Sequence, residues 1–290
     1  MRGVIDSLRP LAPPLVMVSL DGPREGHPTD RERVNECKAE AERIDWTPDV
    51  RAKFREINAG LEIAVPSAVT WALSDHESVI VIEEDVIVGP HFLSFAAKCL
   101  DTYRDRNDIW HISGYNVVPA QHLTDPSAPA RLSAFPESIA WATWRRSWDG
   151  YDPDLTWASH ASISELRERV GSTAAALRWK QLFSDANHRR VSTWAYRWIA
   201  SMWSGHGLCV SPNRNLVTYA GYTEGTNTRR RAQWSEFPLE ALPSEPLSVA
   251  IEIDPMADAY LGSQVFRGTP AGVIKGAAES LAMEVLRRRR

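Results

Sequence analysis

Three consecutive carboxylates, Glu83, Glu84 and Asp85, follow the apolar run Val79, Ile80, Val81, Ile82 and precede Val86, Ile87, Val88. Carboxylates at the end of a buried strand are costly unless something positive sits on them. A short β-branched run bounded by polar residues reads as a strand buried on both faces, the kind found in parallel sheets. In open α/β sheets, ligands bind at the carboxyl ends of strands. A divalent cation carrying phosphates fits this chemistry, because Mg²⁺ and Mn²⁺ take oxygen ligands and usually few from protein. The plain alternative is a strand ending in a solvated acidic turn.

A second polar group follows another strand candidate. Residues 15–20, LVMVSL, run into Asp21, Gly22, Pro23 and Arg24, a turn signal. An Asp there can accept from a base or ribose, and an Arg can meet phosphate. Taken alone, a plain turn with a surface Arg is the better reading. Asn58, Ala59 and Gly60 open an amphipathic helix over 61–74 that turns Ile63, Ala64, Ala68, Val69 and Leu73 inward.

The elements that must position these groups alternate. A helix over 4–11 ends at Pro13 and Pro14. Helix-prone 29–43 separates the strand candidates 15–20 and 52–57. The helix over 61–74 leads to the acidic strand, and a helix over 90–103 leads to a strand over 108–114. This order gives α/β layering with a mostly parallel sheet. Residues 117–136 read as a long loop, and 139–148 are dense in Trp and Arg. Helices over 162–179, broken near Gly171, and 192–204 follow, then a strand over 207–212 and a loop over 213–231. A short strand over 247–253 and an amphipathic helix over 272–290, ending in four Arg, complete the chain.

Composition limits the partners. A net charge of -4 argues against nucleic acid. Cys37, Cys99 and Cys209 are isolated, so neither a zinc spacing nor a disulfide framework follows, and a reducing, cytoplasmic setting is expected. The start has no signal-peptide pattern, and no run is long enough for a transmembrane helix. The Arg-ended helix is a candidate for peripheral contact with the inner face of a membrane, a solvated tail being the plainer reading.

In their shared order, DGPR at 21–24, NAGLEIAVPSAVTWAL at 58–73, VIEEDVIVGPHFLSF at 81–95, ISGYN at 112–116, WATWRRSWDGYD at 141–152, TWAYRW at 193–198 and NLVTYAGY at 215–222 resemble a bacterial family. It is the family 2-like, GT-A nucleotide-diphospho-sugar glycosyltransferases, distantly similar to N-acetylglucosaminyltransferase I. The resemblance implies a Rossmann-like, mostly parallel sheet flanked by helices. It implies a nucleotide-sugar half over 1–116, an acceptor half over 117–245 and an extension over 246–290. It implies Asp85 as ligand of Mn²⁺ or Mg²⁺ on the donor diphosphate, with Glu84 near the ribose and Glu83 as helper. Asp21 and Gly22 would approach the base, Arg24 the phosphate, and Asn58 and Gly60 the nucleotide. Trp141, Trp144 and Arg145 would meet the donor sugar and a glycan or lipid-linked acceptor. The resemblance also makes Trp a mixture of sugar platforms and core.

Three departures carry expectations of their own. The family begins with a strand and an Arg-Pro turn before the helix at 4–11, so this sheet is expected to lack that strand, unless the coding frame starts upstream. The stretch 193–198 has Ala195 and Tyr196 where inverting relatives carry an Asp base, leaving Glu137, Asp149 and Glu224 as substitutes. Asn227 stands in place of an imidazole. The expected activity is metal-dependent transfer of a sugar to a hydroxyl, with a catalytically degenerate nucleotide-sugar-binding or scaffold protein as the alternative. A nucleotidyltransferase would need a basic Gly-rich loop after the first strand, and none is present.

Overall fold

The computed structural model describes residues 1–219, 238–241 and 251–288. Helix α1 (Arg2–Leu8) leads through a 3-10 turn into β1 (Leu15–Leu20). Helix α2 (Asp30–Glu42) crosses to β2 (Asp49–Phe54), which pairs with β1 in parallel, Leu15 opposite Asp49 and Leu20 opposite Phe54. Helix α3 (Leu61–Asp75) crosses again to β3 (Ser78–Val81) and packs on both β1 and β3. Among the described residues β1 has β2 as its only strand partner and β3 has only β7 (Trp141–Trp144), so each keeps one unpaired edge.

The single strand expected over 79–88 is two strands. β3 stops at Val81, a turn closes where the Val86 N–H donates to the Glu83 carbonyl at 3.3 Å, and β4 (Val86–Val88) starts a separate pairing. Carboxylates placed inside a buried sheet would lose their hydration without compensation, so the chain turns them out. β4 pairs antiparallel with β9 (Val217–Tyr219), Val86 opposite Tyr219.

Helix α4 (Phe92–Thr102) covers one face of the central sheet through Phe92, Phe95, Ala96 and Cys99. The sheet has the order β3, β7, β5 (Ile109–Ser113), β8 (Leu208–Pro212), β6 (Ala130–Ser133). The expectation of a mostly parallel sheet is corrected here: β5 with β8 is parallel, and the other three neighbouring pairs are antiparallel. The cause lies in residues 114–140. They make no crossover helix, so β6 and β7 start at the rim where β5 ends and run back down. The loop expected over 117–136 accordingly contains a 3-10 turn, Ala120–His122, and β6.

The second face carries α5 (Arg145–Trp148), α6 (Thr156–His160), α7 (Ile163–Val170), α8 (Thr173–Asn187) and α9 (Ala195–Ser204). Ser162 and Glu165 form a capping box on α7, and Gly171, at φ +76°, ends it in the left-handed region that favours glycine. The C-terminal segment docks on this body. Asp254 caps α10 (Pro255–Tyr260), Asp258 accepts from Ser133 Oγ and the Ala134 N–H, and α11 (Pro270–Arg288) lies along α8. Of the strand expected over 247–253, Ile253 bridges Leu132, and residues 247–250 lie outside the described ones. Among the described residues, no helix is long and apolar enough to cross a membrane.

His111 on β5 ties the faces together. It is fully buried, its Nδ1 accepts from the Trp198 indole N–H at 3.0 Å, and its Nε2–H donates to the Glu137 carbonyl at 3.1 Å. These partners fix one neutral tautomer, and burial pushes its pKa down to about 3. The unfolded chain takes up this proton near pH 6.5 and the folded chain does not. Stability is therefore whole above pH 6.5 and falls as pH drops toward 3, by about 1.4 kcal/mol per unit from this group. Urea titrations between pH 7 and pH 4 should show that slope, and His111→Gln should remove that part of it.

Candidate active site at the sheet rim

β1 and β2 end side by side, and α3 leaves the end of β2 and packs on both β1 and β3 before β3 begins. The Asp21 turn follows β1, the Asn58–Gly60 turn follows β2 and opens α3, and the acidic turn follows β3. The Asp21 carboxylate accepts from the Gly22 N–H at 2.9 Å, the Ala59 N–H at 2.9 Å, the Gly60 N–H at 2.9 Å and the Asn58 amide at 3.0 Å. The Asn58 amide also donates to the Gly22 carbonyl at 2.9 Å. Asp21 is thus a clamp that fixes the start of α3. Gly22 permits the close approach: a Cβ there would lie 2.5 Å from the Ile57 nitrogen. Gly60, at φ +76°, has open space where a Cβ would be. Arg24 is pinned to Asp30 at the start of α2, Nε to Oδ2 at 2.6 Å and Nη2 to Oδ1 at 2.9 Å. The guanidinium holds the Asp30 carboxyl down at about 2.

Burial first, then Glu84 and Asp85, push the Glu83 carboxyl up to about 8. Burial and Glu84 also raise Asp85, against the pull of a hydrogen bond from the Tyr219 hydroxyl. Near the acidic turn the N-terminal ammonium lowers Asp85 slightly, the last of its influences. Asp85 Oδ1 is buried and has no hydrogen-bond partner among the described residues. Glu84 is exposed. Among the described residues no Lys or Arg forms an ion pair with any of the three. Nor, among those residues, do three His, Cys, Asp or Glu side chains gather as a closed metal cage. Helix α1 walls the site, with Ser7 Oγ accepting from the Val88 N–H at 3.1 Å, and Cys37 of α2 lies near enough for Glu84 to raise its thiol further, after burial.

The orphaned Asp85 oxygen and the raised carboxyls fit a divalent cation. It would take Asp85, with Glu84 beside it, and leave its remaining positions to oxygens from outside the protein.

Other sequence candidates lie elsewhere. β7 runs against β3, with Val81 opposite Trp141 and Ser78 opposite Trp144. Trp141 therefore starts at the rim, yet its ring is fully buried, stacked on His111 at 5.1 Å and on Trp194 at 5.2 Å. Trp144 faces α4, its N–H donating to the Leu100 carbonyl at 3.1 Å with Arg146 over its ring at 4.3 Å. Both are core rings and offer no sugar platform here. Arg145 pairs with Glu77 at 3.2 Å, at the far end of β3 from the acids, and the exposed Asp149 follows α5 at that same end. Glu137 is engaged inside the core: Ser211 Oγ donates to its Oε2 at 2.9 Å, and Arg131 Nη2 lies 3.7 Å from Oε1. Burial raises its carboxyl. Glu224 and Asn227 lie outside the described residues.

Two participants were not foreseen. Tyr219 reaches Asp85, and Arg197 pairs with Glu62 in the first turn of α3, binding α9 to the site. The arginine of TWAYRW and the tyrosine of NLVTYAGY were visible, but nothing in these stretches indicates which strand or helix they would face.

No protein-family model matches the chain, and no curated protein matches it in sequence.

Asp21→Ala would strand the Ala59 and Gly60 amides and should cost about 2–3 kcal/mol in urea unfolding. Gly22→Ala, which crowds the Ile57 backbone, should cost about 1–3 kcal/mol in the same measurement.

Proposed function

We propose that the chain is a metal-dependent glycosyltransferase that moves a sugar from a nucleotide diphosphate to a hydroxyl on a glycan, lipid-linked sugar or small molecule. The observation that carries this reading is the acidic turn: three adjacent carboxyls, two held above their usual range, with a buried Asp85 oxygen left unpartnered. Such a turn beside the start of α3 suits a cation bound to phosphates. When bound, the cation neutralises the diphosphate as the sugar departs, so no protein acid is needed at the leaving group. Asp85 holds it, Tyr219 orients Asp85, and Glu84 is free to meet the ribose. Asp21 and Asn58 shape the turn at the start of α3 that the nucleotide would approach. Arg24 could turn to phosphate only by giving up Asp30.

A second reading, a nucleotide-sugar-binding protein without turnover, gains from the placement of the base candidates. Glu137 is tied into the core and Asp149 stands at the opposite end of β3. Donor hydrolysis separates the two readings, because only the first gives metal-dependent release of free sugar.

Titration calorimetry with Mn²⁺ and a panel of nucleoside-diphosphate sugars should find binding to at least one donor. Asp85→Ala should weaken it at least about tenfold, as loss of a charged ligand implies. Asp149→Asn should leave binding and turnover unchanged. Absence of metal-dependent binding to every donor would reject the proposal.

A further inference from the structure

Helix α11 is turned the wrong way round for a surface helix. Its inward side is small and polar. Gly276 sits against Arg178 of α8, Ser280 Oγ donates to Asp185 Oδ2 at 2.7 Å, and Gln181 Nε2 donates to the Val273 carbonyl at 3.1 Å. Its outward side is apolar. Ile274, Leu281 and Val285 are 73%, 69% and 51% exposed. With the exposed Ala278 they recur at i, i+4, i+7 and i+11, which is one narrow stripe. Ala271, Ala277 and Ala282 flank it, also exposed. Lys275, Glu279 and Glu284 lie off the stripe, and Glu284 is turned to Arg190. Exposed apolar surface collected in one band marks an interaction face.

The charge pattern names the partner. The sequence ends in Arg287, Arg288, Arg289 and Arg290, in a chain whose net charge is -4. An apolar stripe running into a cationic end suits the headgroup layer of an anionic bilayer, with the helix lying flat. A second copy suits it less. Parallel pairing would set Arg run on Arg run. Antiparallel pairing would set it over residues 270–278, which contain no acid. Lys275, Glu279 and Glu284, ahead of the Arg run, also rule against spanning.

We infer that α11 is a docking face for anionic phospholipid membrane, independent of the acidic rim. The test is co-sedimentation of the full chain with vesicles of phosphatidylglycerol and phosphatidylcholine, against phosphatidylcholine alone. The chain should bind the anionic vesicles in low salt and release them at 1 M salt, where charge is screened within about 3 Å. Leu281→Asp should lower the partition coefficient at least about tenfold, given the apolar area it removes from the bilayer. Changing the four Arg to Gln should do at least as much. Leu281 is exposed, so an unchanged melting transition will show that the variant folds. The inference is overturned by equal binding to neutral vesicles, by no binding, by binding that both variants retain, or by a dimer that Leu281→Asp dissolves.

Discussion

The fold of the first half turns on one constraint: adjacent carboxylates cannot be taken into the middle of a sheet. Val79 to Val88 has the β-branched content for one long strand, and Glu83, Glu84 and Asp85 cut it in two. β3 stays in the central sheet, while β4 leaves it and finds β9. That second pairing places the Tyr219 hydroxyl on Asp85. The acids thus remain at the end of β3, Glu83 and Asp85 half-buried and Glu84 exposed, and no Lys or Arg among the described residues pairs with them. The raised carboxyls of Glu83 and Asp85 follow from burial and from their acidic neighbours.

Asp21 solves a related problem in the opposite way. Its charge is fully used by four donors from residues 22 and 58–60, so a half-buried carboxylate is stable without a metal. The same residue type, at the ends of neighbouring crossover units, is saturated at one position and deprived at the other. The difference is backbone: the 58–60 turn offers amides, held open by Gly60, while the 83–86 turn offers its own carbonyl to Val86.

The elements of the α/β half were legible because their signals are local. Apolar runs gave β1 and β5, periodicity gave α3 and α4, and Gly171 marked the break between α7 and α8. The direction of β7 was not legible, because a four-residue strand carries no mark of which way it runs. That direction decided the fate of Trp141, Trp144, Arg145 and Asp149: a strand leaving the rim carries its later residues away from it. The tryptophans misled for a related reason. Trp141, Trp144, Trp148, Trp179, Trp194, Trp198 and Trp203 are all buried, and ring size alone does not distinguish a core ring from a stacking platform.

The same geometry narrows where an acceptor base can come from. β6 and β7 start at the rim, yet Glu137 between them is drawn inward by Ser211 and the Arg131 guanidinium. Residues 114–119 after β5 contain no acid, and Asn116 there is bonded to Val118 through its amide and carbonyl. β9 differs. It ends at Tyr219 opposite Val86, beside the acidic turn, and Glu224 follows five residues later in the sequence. Of the three carboxylates that sequence offers for the role, Glu137 is tied into the core, Asp149 is exposed after α5, and Glu224 lies outside the described residues.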